Sequence, residues 1–294
     1  MTAAPTRRLA LQGLSGLVLA GQAQASEDAS GEIAGVERGL GARLGVYGRT
    51  LSGGRHVGYR ADERFAMCST FKLLLAAAVL RRVDRGQDSL ARMIAYGPAD
   101  LLSYAPATKA HLAQGAMSVE DLCAAVVTLS DNAAANLLLG QLGGPPAVTA
   151  FARSLGDPVT RLDRIETALN DVPEGDVHDT TSPMAMAGDL RRLVFGDVLS
   201  PASREKLTQW LVDCKTGLAR IRAGVPPGAR VGDKTGTWDA PGVVTANDVA
   251  VIWPAHGEPL LLAVYVTRSH AGADATDRAI ARLASIACAA LGAG

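Results

Sequence analysis

Apolar residues follow two different spacings along this chain, and the spacings divide it into helical and extended regions. The stretch Phe71–Leu80 has no Gly or Pro and is rich in Leu and Ala, which predicts a buried helix. Asp121–Leu129 and Asn132–Leu142 also have helical patterns. Ser182 precedes a proline and predicts the start of a helix over Met184–Val194. The middle of the chain is therefore predicted to be helical.

The two ends of the chain are predicted to share one sheet. Short strands at Arg43–Tyr47 and Arg55–Tyr59 flank a Gly-rich turn, and Val243–Trp253 and Leu260–Thr267 are β-rich. Helices are predicted at Ala29–Leu40 and Asp274–Leu291. We expect an α/β fold: an antiparallel sheet flanked by N- and C-terminal helices, with an inserted all-α domain. The predicted limits are 26–61 with 214–294 for the α/β domain and 62–213 for the helical domain.

The composition argues against several classes of partner. The 294 residues include 29 basic and 29 acidic side chains, so the formal net charge is zero. Without a basic stripe to neutralise phosphates, we expect a small-molecule partner and no nucleic acid. The four cysteines form no Cys-x-x-Cys pair and the five histidines lie singly, so we expect no metal and no cofactor.

Residues 1–25 are predicted to be an export signal. Arg7 and Arg8 precede an apolar stretch, Leu9–Gly21, that is too short to span a bilayer, and Ala23 and Ala25 suit cleavage. Both a twin-arginine and an ordinary secretory signal fit this pattern. The mature chain is expected in the periplasm, with no membrane segment after export.

The first candidate for chemistry is Ser69, followed three residues later by Lys72. N–H groups in the first turn of a helix favour an oxyanion, and Lys72 lies one turn on, within reach of the Ser69 hydroxyl. Apolar neighbours favour a neutral lysine, which can activate a serine without a histidine. A capping serine with a surface lysine has the same pattern, and Ser203 with Lys206 matches it as well.

A second cluster, Ser130-Asp131-Asn132, lies between two predicted helices. Such residues often act only as helix caps. The catalytic interpretation gives Ser130 a hydroxyl that relays a proton and Asn132 an amide that holds a substrate carbonyl.

A third cluster consists of Lys234, Thr235, Gly236 and Thr237 in the late β region, where Gly236 allows close backbone approach. The triplet also occurs at Lys215–Gly217, but that copy does not lead into a hydrophobic strand.

The fourth cluster is a charged loop that contains Glu166 and Asn170. Asp179 is expected to pair with Arg164 and close the neck of this loop. An ordinary solvated loop would have the same composition. The catalytic interpretation is that Glu166 and the Asn170 amide hold a water molecule, which Glu166 deprotonates.

These clusters together resemble those of the class A serine β-lactamases. Ser69-Thr70-Phe71-Lys72, Ser130-Asp131-Asn132, Glu166 with Leu169-Asn170, and Lys234-Thr235-Gly236 occur in that family's order and at about its spacing. The resemblance extends over essentially the whole mature chain.

The resemblance implies hydrolysis of bicyclic β-lactams that carry a carboxylate. Ser69 would attack the lactam carbonyl, and the backbone N–H groups of Ser69 and Thr237 would receive the oxyanion. Ser130 would protonate the leaving nitrogen. Glu166 with Asn170 would activate the water that hydrolyses the acyl-enzyme.

Other roles follow from the same resemblance. Asn132 would hold the substrate's amide side chain and Tyr104 would line the mouth of the cleft. The acylation base is either Lys72 or Glu166, and the sequence leaves both open. A monomer is implied.

The residues that bind the substrate carboxylate depart from the commonest family pattern. Many members place an arginine on the strand after Lys-Thr-Gly, where this chain has Gly242-Val243-Val244. Arg220 resembles the arginine that other members use instead, together with Lys234, Thr235 and Thr237.

Two cysteines also depart from family patterns. Trp238 stands where a cysteine would pair with Cys68 in many carbapenem-hydrolysing members, and Ala76 stands where one would pair with Cys123. Neither bridge is expected. A D-alanyl-D-alanine peptidase and a covalent β-lactam sensor of the same fold group are the alternatives. The peptidase would lack the deacylating Glu166 loop, and the sensor would require a membrane-spanning segment beyond the signal.

Overall fold

The computed structural model describes residues 28–293, so the predicted export signal at residues 1–25 lies outside the described part. The strands are β1 Arg43–Thr50, β2 His56–Tyr59, β3 Phe65–Ala66, β4 Met93–Ala95, β5 Ala116–Ser118, β6 Thr180–Thr181, β7 Arg230–Ala240, β8 Val243–Trp253 and β9 Leu260–Ser269. The helices are α1 at residues 28–40, α2 Phe71–Asp84, α3 Pro106–Ala110, α4 Val119–Thr128, α5 Asn132–Leu142, α6 Pro145–Ser154, α7 Pro183–Phe195, α8 Pro201–Val212, α9 Ile221–Gly224 and α10 Ala273–Leu291.

Within residues 28–293, five strands form the main sheet in the order β2-β1-β9-β8-β7. All neighbouring pairs are antiparallel. The early strands therefore join the late ones. The predicted fold class is confirmed, while the limits at residues 62 and 213 stay predictions.

Both faces of the sheet are covered by helices. The second half of β8 therefore has apolar residues on both of its faces. Ala250 and Ile252 pack in a core with α1 and α10, whereas Val249 and Val251 pack in the core of the helical half. Successive strand residues point to opposite faces, so a strand buried on both faces is continuously apolar.

Helix α2 is the centre of the helical half. Residues 71–80 are all buried, and α2 contacts α4, α5, α6 and α8. A helix enclosed on every side needs apolar residues all round. Lys72 is the one charged residue in this buried stretch, so its position calls for a chemical explanation.

Element boundaries differ from the predictions where a side chain caps the helix. Ser118 accepts the N–H of Asp121, so α4 begins at Val119, two residues earlier than predicted. Ser182 accepts the N–H of Ala185 and starts α7 as predicted. Helix α6 was missed because its proline was interpreted only as the end of α5, whereas Pro also favours the first turn of a helix.

Candidate active site

Ser69 lies in a 3-10 turn, Cys68–Thr70, that leads directly into α2. The prediction that it lies in the first turn of the α-helix is therefore shifted by two residues. The Thr70 hydroxyl donates to the Met67 carbonyl at 2.8 Å, and the Asn247 amide of β8 donates to the same carbonyl at 3.1 Å. The turn that carries Ser69 is thus held by one hydrogen bond from its own residue Thr70 and by one from the sheet. Ser69 itself is 8% exposed.

Lys72 is fully buried and is the hub of the site. Its Nζ donates to Ser69 Oγ at 2.9 Å, to the Ser130 carbonyl at 2.9 Å and to Asn132 Oδ1 at 2.6 Å. Glu166 Oε1 lies 2.8 Å from the same nitrogen. Burial lowers the pKa of Lys72, and the negative charge of Glu166 opposes this shift.

Ser69 Oγ also donates to Glu166 Oε1 at 3.1 Å. The hydroxyl therefore contacts both possible proton acceptors, Lys72 and Glu166, and these two contact each other. A proton leaving Ser69 has a direct path to either group, so the geometry provides the hydrogen-bond reach that general-base catalysis requires.

Ser130 lies between two buried lysines. Lys234 Nζ donates to Ser130 Oγ at 3.0 Å, and Lys72 Nζ lies 3.5 Å from the same oxygen. Burial lowers the pKa of Lys234 to about 8, and the positive charge of Lys72 contributes to the same direction. The Ser130 hydroxyl can therefore pass a proton on and receive one from a neighbouring ammonium.

Asp131, the middle residue of the Ser130 cluster, is structural. Its carboxylate accepts the N–H groups of Ala107, Thr108 and Ala134, and so caps α5 and fixes α3. The capping interpretation is thus correct for this residue, while Ser130 and Asn132 point into the site.

Strand β7 forms one wall of the cleft and is one of the two edge strands of the sheet. A Cβ atom added to Gly236 would lie 2.6 Å from the Met67 carbonyl oxygen and 3.1 Å from Ser69 N. Only glycine allows the strand to come this close to the nucleophile turn. Thr237, the next residue, is exposed to the cleft.

Thr235 reaches the second copy of the Lys-Thr-Gly triplet. Its hydroxyl lies 2.5 Å from the hydroxyl of Thr216. The copy at Lys215–Gly217 therefore supports the first one, a role that was not predicted because this copy does not lead into a hydrophobic strand. The other duplicate, Ser203 with Lys206, lies elsewhere: Ser203 bonds Asp84 and Lys206 pairs with Glu120.

Arg220 is buried and aimed at β7. Its guanidinium donates to Thr237 Oγ1 at 2.8 Å, to the Gly236 carbonyl at 3.1 Å and to the Asn247 carbonyl at 2.9 Å. Nε of the same guanidinium donates to Oδ1 of Asp277 in α10 at 2.7 Å. A fixed positive charge therefore lies behind the Thr237 hydroxyl.

Glu166 is held in place through its side chain and its backbone. Asn170 Nδ2 donates to Glu166 Oε2 at 2.8 Å. Asn136 of α5 donates to the Glu166 carbonyl and accepts its N–H, both at 2.9 Å. Sequence reasoning missed Asn136, although its spacing of four residues from Asn132 places both on one helix face. Arg164 and Asp179 form the predicted pair at the loop neck.

Tyr104 lies at the rim. It is 49% exposed, its hydroxyl donates to the Leu129 carbonyl, and its own carbonyl accepts the Asn132 N–H at 3.2 Å. All the predicted site residues thus surround one cleft.

Cys68, Cys123, Cys214 and Cys288 are all buried and unbridged. Burial raises the pKa of Cys68 and Cys123 far above the ordinary range. Among residues 28–293, no group of three or more His, Cys, Asp and Glu side chains is placed to hold a metal ion. In the same described part, no helix has the length and apolar character required to cross a bilayer.

Comparison with known proteins places this architecture among serine hydrolases that open β-lactam rings. Residues 28–291 match the β-lactamase enzyme family. The L2 β-lactamase of Stenotrophomonas maltophilia is 49% identical over 239 residues, covering 81% of this chain and 78% of the relative. A β-lactamase of Streptomyces albus G is 44% identical, with 99% of each chain covered.

Solved structures agree with these sequence matches. The last common ancestor of Gram-negative class A β-lactamases (GNCA4) has a TM-score of 0.86 and 56% identity, covering 89% of this chain and 98% of that chain. PenP from Rhodopseudomonas palustris, described as a putative class A β-lactamase, has a TM-score of 0.86 and 52% identity, covering 90% and 99%. The chain belongs to the β-lactamase enzyme family and is a class A serine β-lactamase, a hydrolase of the β-lactam amide bond.

Proposed function

We propose that this enzyme hydrolyses β-lactams through an acyl-enzyme on Ser69 that Glu166 later releases. The observation that carries the proposal is the direct contact of Ser69 Oγ with both Lys72 Nζ, at 2.9 Å, and Glu166 Oε1, at 3.1 Å. A serine hydroxyl between an amine and a carboxylate, both fully buried, is arranged for deprotonation.

Acylation uses the groups around this hydroxyl. Ser69 Oγ bonds to the lactam carbonyl carbon as its proton moves to Lys72 or Glu166. The ring C–N bond then breaks, and the nitrogen takes a proton from Ser130, which one of its neighbouring lysines, Lys72 or Lys234, can replace. The N–H groups of Ser69 and Thr237 receive the oxyanion, and one such donor typically contributes about 3 to 4 kcal/mol.

Substrate recognition divides between two walls of the cleft. On β7, the hydroxyls of Thr235 and Thr237 with the charges of Lys234 and Arg220 bind the carboxylate. On the opposite wall, Asn132 holds the amide side chain and Tyr104 lines the entrance.

Deacylation depends on Glu166 and Asn170. Asn170 orients the carboxylate through its 2.8 Å hydrogen bond. Both side chains together would hold a water beside the ester carbonyl. Glu166 removes a proton from the water as the water oxygen bonds to the ester carbonyl carbon. The bond from that carbon to Ser69 Oγ then breaks, the acid product leaves, and Oγ takes up a proton from the protonated Glu166 or from Lys72. A penicillin-binding peptidase, one of the alternatives considered from sequence, would lack the loop that carries this carboxylate.

The test replaces Glu166 by alanine. Glu166→Ala should slow deacylation by roughly 10²- to 10⁴-fold, the usual contribution of a general base. Intact-mass spectrometry should then show one penicillin covalently bound per enzyme, and peptide mapping should place it on Ser69. Glu174 is an exposed glutamate on the same loop, so Glu174→Ala is the matched control and should turn over normally. Absence of an adduct in Glu166→Ala would contradict the assigned role.

We also propose that the enzyme acts as an exported monomer and confers resistance to β-lactams. Removal of residues 1–25 would release the mature chain into the periplasm. N-terminal sequencing of the periplasmic product, light scattering, and the penicillin tolerance of a susceptible host expressing the gene are the corresponding measurements. A product that keeps Arg7 and Arg8 at its N-terminus would contradict the export proposal.

A further inference from the structure

A second pair of carboxyl groups is buried away from the catalytic centre. Asp189 of α7 is fully buried, and Asp157, which follows α6, is 3% exposed. Both side-chain oxygens of Asp189 and Oδ2 of Asp157 lack a hydrogen-bond donor among the described residues. A hydrogen bond between the two carboxyl groups is nevertheless one cause of the raised pKa of Asp189. Since ionised carboxylates only accept, this contact requires a proton on one of them.

The neighbouring cations do not supply the missing donor. Arg192 Nη1 lies 3.5 Å from Asp189 Oδ1, and its side chain is 38% exposed. Arg153 donates to the backbone carbonyls of Asp157 and Thr160 rather than to a carboxylate. The charged or titratable groups that face the pair or its adjoining cavity are Tyr47, Arg49, Asp62, Arg64, Arg153, Arg192 and Tyr265.

Burial raises the pKa of Asp189 to about 9, and the negative charge of Asp157 acts in the same direction. Arg192 and Arg153 oppose the shift without cancelling it. The raised pKa agrees with the geometry, because three buried carboxylate oxygens of the pair have no hydrogen-bond donor among the described residues.

The pair lies where the Glu166 loop begins. Asp157 Oδ1 accepts the N–H groups of Val159, at 2.6 Å, and Thr160, at 3.1 Å. The Thr160 hydroxyl lies 2.6 Å from that of Thr181, at the other end of the loop. Asp157 therefore holds the first residues of the loop, while Asp189 is part of the helix that follows its last residues.

We propose that Asp157 and Asp189 share one proton and act as positioning residues for the loop that carries Glu166. The shared proton makes a hydrogen bond between Asp157, at the start of the loop, and Asp189 of α7. Its loss leaves two buried negative charges in contact, and their repulsion loosens the loop. The consequence for deacylation rests on the proposed role of Glu166, whereas the shared proton itself does not.

The sign of the pH effect follows from proton linkage. The folded chain keeps a proton on the pair up to about pH 9, while an unfolded aspartate loses it near its ordinary pKa of 3.8. The folded state thus binds one proton more between these values, so stability falls as the pH rises through this window.

The test compares unfolding in urea between pH 6 and 9 for the wild type and Asp189→Asn. The asparagine amide donates to Asp157 without needing a proton. We expect the unfolding constant of the wild type to rise, relative to the variant, by up to about tenfold per pH unit. Asp197 is an exposed aspartate just after α7, and Asp197→Asn should behave as the wild type. Identical pH dependences for the wild type and Asp189→Asn would overturn the proposal.

Carbon-13 spectra of aspartate-labelled wild type provide a measurement that does not depend on the variant folding. A carboxyl signal that titrates near pH 9, and disappears in Asp157→Asn or Asp189→Asn, is expected. No signal titrating there would overturn the proposal.

Rapid-mixing measurements of deacylation test the positioning role. The rate should decline above pH 9 in the wild type and less in Asp189→Asn. If the Glu166→Ala enzyme traps no adduct while the unfolding difference remains, the role of Glu166 is wrong and the shared proton stands.

Discussion

Arg220 offers a quantitative test of carboxylate recognition. Its guanidinium donates to Thr237 Oγ1 and to two backbone carbonyls, and Asp277 anchors it from behind. Arg220→Ala removes this positive charge and leaves those acceptors without their donor. A substrate carboxylate bonded to the Thr237 hydroxyl would then lose its nearest cation on that side of the cleft.

The size of the effect follows from the separation of the charges. With Thr237 Oγ1 2.8 Å from the guanidinium and the carboxylate one hydrogen bond further, the charges lie roughly 5.5 Å apart. At an effective dielectric constant of about 20, the attraction is about 3 kcal/mol, or roughly a hundredfold in kcat/KM.

The assay measures kcat/KM of wild type and Arg220→Ala on a penicillin and on its methyl ester. The free acid should lose roughly a hundredfold, and the ester, which has no negative charge, should lose far less. Arg220→Lys keeps the charge but not the planar fork, so an intermediate loss is expected. The comparison of acid with ester separates charge from any general disturbance of β7.

A matched control is available on the same strand. Arg230 lies at the far end of β7, exposed and over the Trp253 ring, so Arg230→Ala should leave kcat/KM unchanged. Thermal melting confirms that each variant is folded. If Arg220→Ala reduced acid and ester equally, or neither, the electrostatic reasoning would be refuted.

Two further predictions concern residues around Ser69. Asn136→Leu removes both hydrogen bonds to the Glu166 backbone, at about 1 to 3 kcal/mol for each group left unpaired. We expect a lower Tm and roughly tenfold or slower deacylation, seen as acyl-enzyme accumulation in a burst; unchanged kinetics would contradict this. Burial lowers the pKa of Lys234 to about 8, so its ammonium is lost as the pH rises through that value. The pH profile of kcat/KM on a penicillin should fall above about pH 8 and shift to higher pH in Lys234→Arg; a profile flat to pH 10 would argue against that charge.

Local sequence patterns were sufficient to predict elements that depend only on residues a few positions apart. A helix that begins at Ser182-Pro183, an apolar stretch enclosed as α2 and the β-rich stretch that forms β8 follow from capping and periodicity within a few residues. Helix α6 was missed because proline is typical both of the residues after a helix and of the first turn of the next one.

Motif spacing identified the catalytic candidates but did not separate working residues from supporting ones. Ser130 and Asp131 are adjacent polar residues, yet the Ser130 hydroxyl lies between two lysines and the Asp131 carboxylate caps α5 and fixes α3. Asn136 carried no motif at all. Its function becomes visible only where α5 meets the loop that returns 30 residues later.

By itself the sequence determined the fold class, the serine and lysine at the centre, and the family, because apolar period and residue order are properties of the chain alone. Tertiary structure decided which side chains meet. Arg220 and Arg222 are two residues apart, but the first reaches Thr237 and the second pairs with Asp233 behind the strand. Contacts between distant segments depend on packing and backbone direction, which no local pattern specifies.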